Sequence, residues 1–104
     1  MEEIVEEVEI DGVKYRVTLT ELSYKKYNDI VRKYVKVSVE AGTATVKDID
    51  YFGLEEDVFK ASIKKIEAPE GHSVPSVDAF LNMLPYKKAK KLKDAALKLN
   101  PLTI

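Results

Sequence analysis

Two stretches near the start of the chain, residues 4–10 and 13–19, are rich in residues that favour strands, and they flank Asp11 and Gly12. Asp-Gly between such stretches is among the strongest short-range signals for a β-hairpin, because both residues tolerate a positive φ. Alternation in the second stretch predicts a strand with one face in a core and the other in water. Two strands alone are marginally stable, so we expect this hairpin to pack on helices.

Apolar residues at three- and four-residue steps predict helices in much of the remaining chain. Ser23 is expected to cap a helix over residues 24–34, and Ser76 to cap one that ends near Leu84. Pro85 then ends or kinks that helix and can open the last one, which stops before Asn100.

The central helix is predicted over residues 54–66. Three acidic residues fill its first turn and Lys64 and Lys65 its last, so that each charge complements the helix dipole at its own end. Residues 47–53 form a connector ahead of it, in which Asp48 or Asp50 could cap an earlier helical turn.

Residues 35–46 admit two interpretations. Valines alternate with polar residues up to Ala41 and Gly42, which favours a second short hairpin. In the alternative, the preceding helix continues to Ala41 and Gly42 is its C-terminal cap. The whole pattern predicts an α+β domain, in which an N-terminal β-hairpin packs on three to four helices with a possible second hairpin in the middle.

Length and composition indicate one small globular domain. The 104 residues are 45% hydrophobic and 34% charged with a formal net charge of -1, which gives no overall attraction to nucleic acid or an anionic membrane. No apolar run approaches the roughly 20 residues that span a bilayer, and the first residues are acidic where a signal peptide is basic. We therefore expect a cytoplasmic protein. Abundant lysine and glutamate, with no glutamine or tryptophan, resemble the composition of proteins that work at high temperature.

No set of residues predicts catalysis or a cofactor. His72 is the single histidine and cysteine is absent, so a catalytic triad and a zinc site both lack their residues. Asp48 and Asp50 imitate the opening of a calcium loop, but Phe52 and Phe59 occupy two of its ligand positions. We predict no catalytic, cofactor-binding or metal-binding residue, and no enzyme.

The last predicted helix carries six lysines against one aspartate. A small nucleic-acid-binding regulator that uses this helix is therefore the alternative function. Lysines without arginines on the polar side of a helix are usually a solvated face, so nucleic-acid binding is not the favoured interpretation.

The order of elements resembles that of the tail assembly chaperones of long-tailed phages and related proviruses. The resemblance covers most of the chain and rests on YRVTLTELSYKKY at residues 15–27, VFKASIKK at 58–65, LP at 84–85 and LKLN at 97–100. It implies a noncatalytic assembly protein that binds an aggregation-prone client, such as a tape measure protein or tail tube subunits.

Such a protein needs an apolar surface for a protein client or for self-association. The residues proposed for it lie in the predicted connector, off the apolar stripe of the last helix, or in the uncovered C-terminal tail: Tyr51, Phe52, Leu97, Leu102 and Ile104. The alternative is that the tail folds back on its own domain, since scattered apolar surface residues are normal.

Overall fold

The structure, a computed structural model, describes residues 1–103, with the side chains of all except residues 37, 38, 40 and 44–47. It confirms the α+β class. The elements in chain order are β1 (Glu3–Ile10), β2 (Val13–Thr20), α1 (Tyr24–Tyr34), β3 (Val35–Glu40), β4 (Thr43–Ile49), α2 (Tyr51–Ser62), β5 (Ile63–Glu67), α3 (Val77–Met83) and α4 (Tyr86–Leu99).

The first hairpin is confirmed and forms part of a three-stranded antiparallel sheet in the order β1-β2-β5. Asp11 and Gly12 make its turn with φ of 49° and 80°, the left-handed values that an Asp-Gly turn provides. Strand β2 is central, and Val17 and Leu19 on it are fully buried. Ser23 and Ser76 cap α1 and α3 as expected, each accepting a backbone N–H at 3.2 Å.

The predicted central helix over residues 54–66 is wrong at its C-terminal end. Helix α2 stops at Ser62, and Ile63 and Ile66 belong to strand β5. The pairing of β5 with β2 contains a bulge, because Leu19 pairs with Ile63 but Thr18 pairs with Lys65. The extra residue brings Ile63 and Ile66 to the same buried side, so a strand acquires the three-residue spacing of a helix.

The predicted connector over residues 47–53 is also replaced by regular structure. Strand β4 continues to Ile49, and Asp50 caps α2 by accepting a hydrogen bond from the backbone N–H of Gly53 at 3.0 Å. Tyr51 and Phe52 consequently lie in the first turn of α2. Lys64 and Lys65, assigned to a helix end, lie in β5 instead.

The main core lies between the three-stranded sheet and the helices. Tyr15 of β2 and Phe80 of α3 meet edge to face, with ring centres 5.6 Å apart. The buried residues of this cluster are Val8, Ile10, Tyr15, Val17, Leu19, Phe59, Ile63, Ile66, Phe80, Leu92 and Ala96. A smaller cluster of Ile30, Leu54 and Val58 joins α1 to α2.

The second hairpin is the correct interpretation of residues 35–46, and it extends to Ile49. Strands β3 and β4 form a separate two-stranded sheet that turns at Ala41 and Gly42, with φ of 51° and 80°. The alternation of valines with polar residues that was predicted here includes residues 37, 38 and 40, whose side chains lie outside the described ones. We call this hairpin, residues 35–49, the arm.

The arm gives the molecule an elongated shape. In the described part of the chain, β3 contacts the end of α1, and no other extensive contact joins the arm to the rest. The molecule measures 62 × 26 × 19 Å with a radius of gyration of 16.3 Å, whereas a compact chain of this length has about 13 Å. A strand of seven residues is about 23 Å long, which is consistent with an arm that projects from the body.

The arm is fixed at its base by Tyr34 at the end of α1. The backbone carbonyl of Tyr34 accepts a hydrogen bond from the Asp50 N–H at 2.9 Å, and its hydroxyl donates to Asp57 Oδ2 at 2.6 Å. This bond to a carboxylate raises the pKa of the Tyr34 phenol above its ordinary value. The Tyr34 ring covers Gly53, where a Cβ atom would stand 2.5 Å from Cε1 of the ring. We call these four residues the Tyr34 junction.

The contact at Gly53 gives a stability prediction. Glycine to alanine inside a helix ordinarily stabilises by about 0.5–1 kcal/mol, but Gly53→Ala is expected to destabilise by about 1–3 kcal/mol because the added methyl meets the Tyr34 ring. Urea unfolding followed by circular dichroism measures the difference. The matched control makes the same change in a Tyr34→Ala background, where the part of the penalty that the ring causes should disappear and only the contact with Asp50 Oδ2, 2.7 Å from the added Cβ, remains. A Gly53→Ala protein as stable as the parent chain would contradict the packing.

Candidate protein-binding groove

A groove of about 620 Å³ separates α2 from α4. Side chains from α2 form one wall, side chains from α4 the other, and α3 with the residue that follows it completes the lining. The lining consists of Phe52, Glu55, Glu56 and Phe59 of α2, Leu81 of α3, Leu84, and Tyr86, Ala89, Lys90, Lys93, Asp94 and Leu97 of α4. We call this site the α2–α4 groove.

The floor of the groove is apolar because the residues of α2 and α4 that face the core also border it. Phe59 is almost completely buried and belongs to the main core. Leu81, Leu84 and Leu97 are half-buried, so each packs on the core and keeps part of its side chain open to the groove. The groove is therefore continuous with the core.

Two exposed aromatic side chains border the same groove. Phe52 in the first turn of α2 is 74% exposed, and Tyr86, the first residue of α4 after the cap Pro85, is 79% exposed. A single exposed aromatic residue needs no explanation, but two that line one apolar groove form a contiguous surface. Aromatic residues are also enriched at the centres of protein interfaces.

Lys93 holds the two walls together. Its ammonium group lies 3.0 Å from Glu55 Oε2 and 3.1 Å from Glu56 Oε1, and 5.6 Å from the centre of the Phe52 ring. Burial acts to lower the pKa of Lys93, but the two carboxylates outweigh it and raise the pKa above its ordinary value. Among the described residues, Lys90 and Asp94 of the lining make no ion pair.

The structure brings two of the five proposed partner-binding residues together. Phe52 and Leu97 both line the groove, and Tyr51 is half exposed beside Phe52 but does not line it. Leu102 is half-buried against the smaller cluster. Ile104 lies outside the described residues.

The chain folds back on its own domain at least as far as Leu102, which was the alternative for the tail. The Asn100 side chain is buried, accepts a hydrogen bond from the Leu22 N–H at 2.7 Å and donates to the Thr20 carbonyl at 3.1 Å. The Tyr27 hydroxyl donates to the Pro101 carbonyl at 3.0 Å. These bonds assign Leu102 a packing role and leave it out of the groove.

Sequence reasoning missed Tyr86 and Lys93 as members of a site. The sequence analysis gave Tyr86 no role, and it treated Lys93 as one of six lysines on a solvated helix face. Nothing in the local sequence separates Lys93 from its neighbours, because its partners Glu55 and Glu56 lie on another helix.

The other lysines of α4 stand beside the acidic edge of the sheet. Lys88 donates a hydrogen bond to the backbone carbonyl of Glu9. Lys88 and Lys91 line one cleft with acids of β1, and Lys91 and Lys98 line a second. The acidic residues that border these clefts are Glu6, Glu7 and Glu9 of β1 and Glu2, which precedes β1. Carboxylates so placed offset the positive charge of the helix.

Other kinds of site find no support in the described part of the chain. His72 is exposed in a loop, and the described side chains include no group of three or more His, Cys, Asp or Glu that could hold a metal ion. None of the helices described there has the length and apolar character needed to cross a membrane. Comparison with family models, curated proteins and solved structures finds no match for this chain.

The ion pairs of Lys93 give a prediction about pH. Because the pKa of Lys93 is raised in the folded chain, its contribution to stability is fully present below the ordinary value of 10.5 and is lost as pH rises through the folded value. Lys93→Met is expected to destabilise by about 1 kcal/mol near pH 8, and the difference from the parent chain should shrink above about pH 10.5.

Chemical unfolding at a series of pH values measures this difference. Lys90→Met is the matched control, since it removes a lysine from the same groove and leaves the ion pairs of Lys93 in place. Equal pH dependence of the two variants would contradict the role given to Lys93.

Proposed function

We propose that this chain is a noncatalytic assembly protein, similar to the tail assembly chaperones of phages and proviruses, and that it binds an apolar helical segment of a client such as a tape measure protein. The observation that supports the proposal is the α2–α4 groove, in which Phe52 and Tyr86 stand exposed over an apolar floor. The resemblance of the sequence supplies the class of client, and the groove supplies a surface for it.

An amphipathic helix is the occupant that this geometry favours. A groove between two helices accepts a third helix whose apolar residues recur at i, i+3 or i+4, and i+7. The floor formed by Phe59, Leu81 and Leu84 would take those residues. Lys90 and Asp94 offer one charge of each sign to the polar flanks of the client helix.

Phe52 and Tyr86 are expected to provide most of the binding energy. Burying one exposed aromatic ring contributes roughly 3 kcal/mol to binding before the conformational entropy lost on binding is subtracted. The Lys93 ammonium already restrains Phe52 in the free protein, so less freedom is lost there on binding.

The test uses a peptide from an amphipathic helix of a tape measure protein, with binding followed by fluorescence anisotropy. Phe52→Ala and Tyr86→Ala are each expected to weaken binding at least tenfold, as removal of about 1.4 kcal/mol would do, while the free energy of unfolding changes by less than about 0.5 kcal/mol.

Tyr24→Ala is the matched control. Tyr24 is 86% exposed on α1 and does not line the groove, so its removal should leave the affinity unchanged. An equal loss in Tyr24→Ala, or unchanged affinity in the Phe52→Ala, Tyr86→Ala double variant, would contradict the proposal.

Binding of nucleic acid through α4 is predicted to be absent or nonspecific. The acids of β1 beside Lys88 and Lys91 offset the lysines, and the formal net charge is -1. We expect no retention on duplex DNA or single-stranded RNA at about 0.15 M salt. Tight binding that is abolished by charge reversal at Lys87, Lys88 and Lys91 would overturn this prediction and favour the regulator.

A further inference from the structure

The arm presents β-strand edges that nothing in the described chain covers. Its sheet has only two strands, and a two-stranded sheet is marginally stable in water by itself. The outer N–H and C=O groups of such strands form a ready template for another strand. Val39 on β3 is 68% exposed, so the arm also presents an apolar side chain to solvent.

The other sheet edges carry features that oppose pairing. Strand β1 has exposed Glu3, Glu6, Glu7 and Glu9, and β5 is five residues long with exposed Lys64 and Lys65. Charged side chains and short length are established ways of protecting an edge. The outer edge of β4 is interrupted, because Lys36 pairs with Asp48 while Val37 pairs with Val46, which leaves Lys47 as an extra residue.

The edge of β3 has no bulge, and its charges are not of one sign. Its six residues, Val35–Glu40, follow one another without an extra residue. Lys36 and Glu40 are its two charged residues, and they carry opposite signs at opposite ends. The sequence between them is Val-Ser-Val, which is typical of a strand.

We propose that β3 pairs antiparallel with β3 of a second copy of this chain, about a two-fold axis at Ser38, to form a four-stranded sheet. In this register, Lys36 stands opposite Glu40 of the partner subunit at both ends, and Val37 opposite Val39 of the partner subunit. Opposite charges and valine pairs across antiparallel strands both stabilise a sheet. The strand is therefore complementary to itself, which is what a two-fold interface requires.

Self-complementarity is what selects a second copy as the occupant. No other strand of the described chain can place an acidic residue opposite Lys36 and, at the same time, a basic residue opposite Glu40. The proposal is independent of the α2–α4 groove, since none of the groove residues lies in the arm.

The test is the mass of the chain in solution, by sedimentation equilibrium at concentrations up to about 1 mM, because interfaces below about 1,200 Å² are typically weak. The parent chain is expected to approach twice 11.8 kDa. In a dimer of the Lys36→Glu variant, or of the Glu40→Lys variant, like charges stand opposite one another at both ends of the strand pair. Each substitution should therefore weaken self-association at least tenfold.

Mixing the two variants provides the decisive measurement. A chain with glutamate at both positions and a chain with lysine at both positions match one another in the proposed register, so an equimolar mixture should form heterodimers although neither variant associates alone. This result also shows that both variants are folded. Phe52→Ala should leave the dimer intact, which separates failure of this proposal from failure of the proposed function.

A parent chain that stays monomeric throughout the concentration range would overturn the proposal. So would variants that associate as the parent does, or a mixture that fails to associate. A dimer that Phe52→Ala dissociates would assign the second copy to the groove instead of the arm.

Discussion

The Tyr34 junction is the contact on which both proposed binding surfaces depend. The chain leaves the body at Tyr34, forms the arm, and returns at Asp50. A hydrogen bond from the Asp50 N–H to the Tyr34 carbonyl joins the two ends of the arm. The Tyr34 ring then packs over Gly53, and its hydroxyl reaches Asp57 one turn further along α2. These contacts fix the first turn of α2 against α1, and Phe52 lies in that turn. A single aromatic residue therefore sets the base of the arm and one end of the groove.

Local chemistry was enough to predict most elements of the fold but not the junction of α2 with β5. Asp11 and Gly12 specify a turn by their own φ values, and Ser23 and Ser76 specify helix starts by their own side chains. Ile63 and Ile66 are different, because their common facing depends on a bulge in β5, opposite Thr18 and Leu19 of β2, which is a strand distant in sequence. Hydrophobic period alone cannot reveal such a bulge, so the strand imitated a continuation of the helix.

The candidate groove was only partly predictable for a related reason. Phe52 and Leu97 could be proposed because each is apolar at a position that its own local pattern does not bury. Tyr86 and Lys93 acquire their roles only when α4 packs against α2, and the charge partners of Lys93 are 37 and 38 residues away along the chain. Leu102 has the same apolar character as Leu97, but hydrogen bonds of Asn100 and Tyr27 draw the tail onto the domain. Its burial is thus decided by polar contacts of neighbouring residues.

The acids of β1 limit association at two surfaces at once. They protect an outer edge of the main sheet, and those beside Lys88 and Lys91 offset the positive charge of α4. Both surfaces are thereby poor sites for a strand or a polyanion. The surfaces left without such protection are the edge of β3 and the α2–α4 groove, and they differ in kind, since one offers backbone groups with paired charges and the other offers aromatic and aliphatic side chains. A second copy and an apolar client could accordingly bind without competing, because neither surface shares a residue with the other.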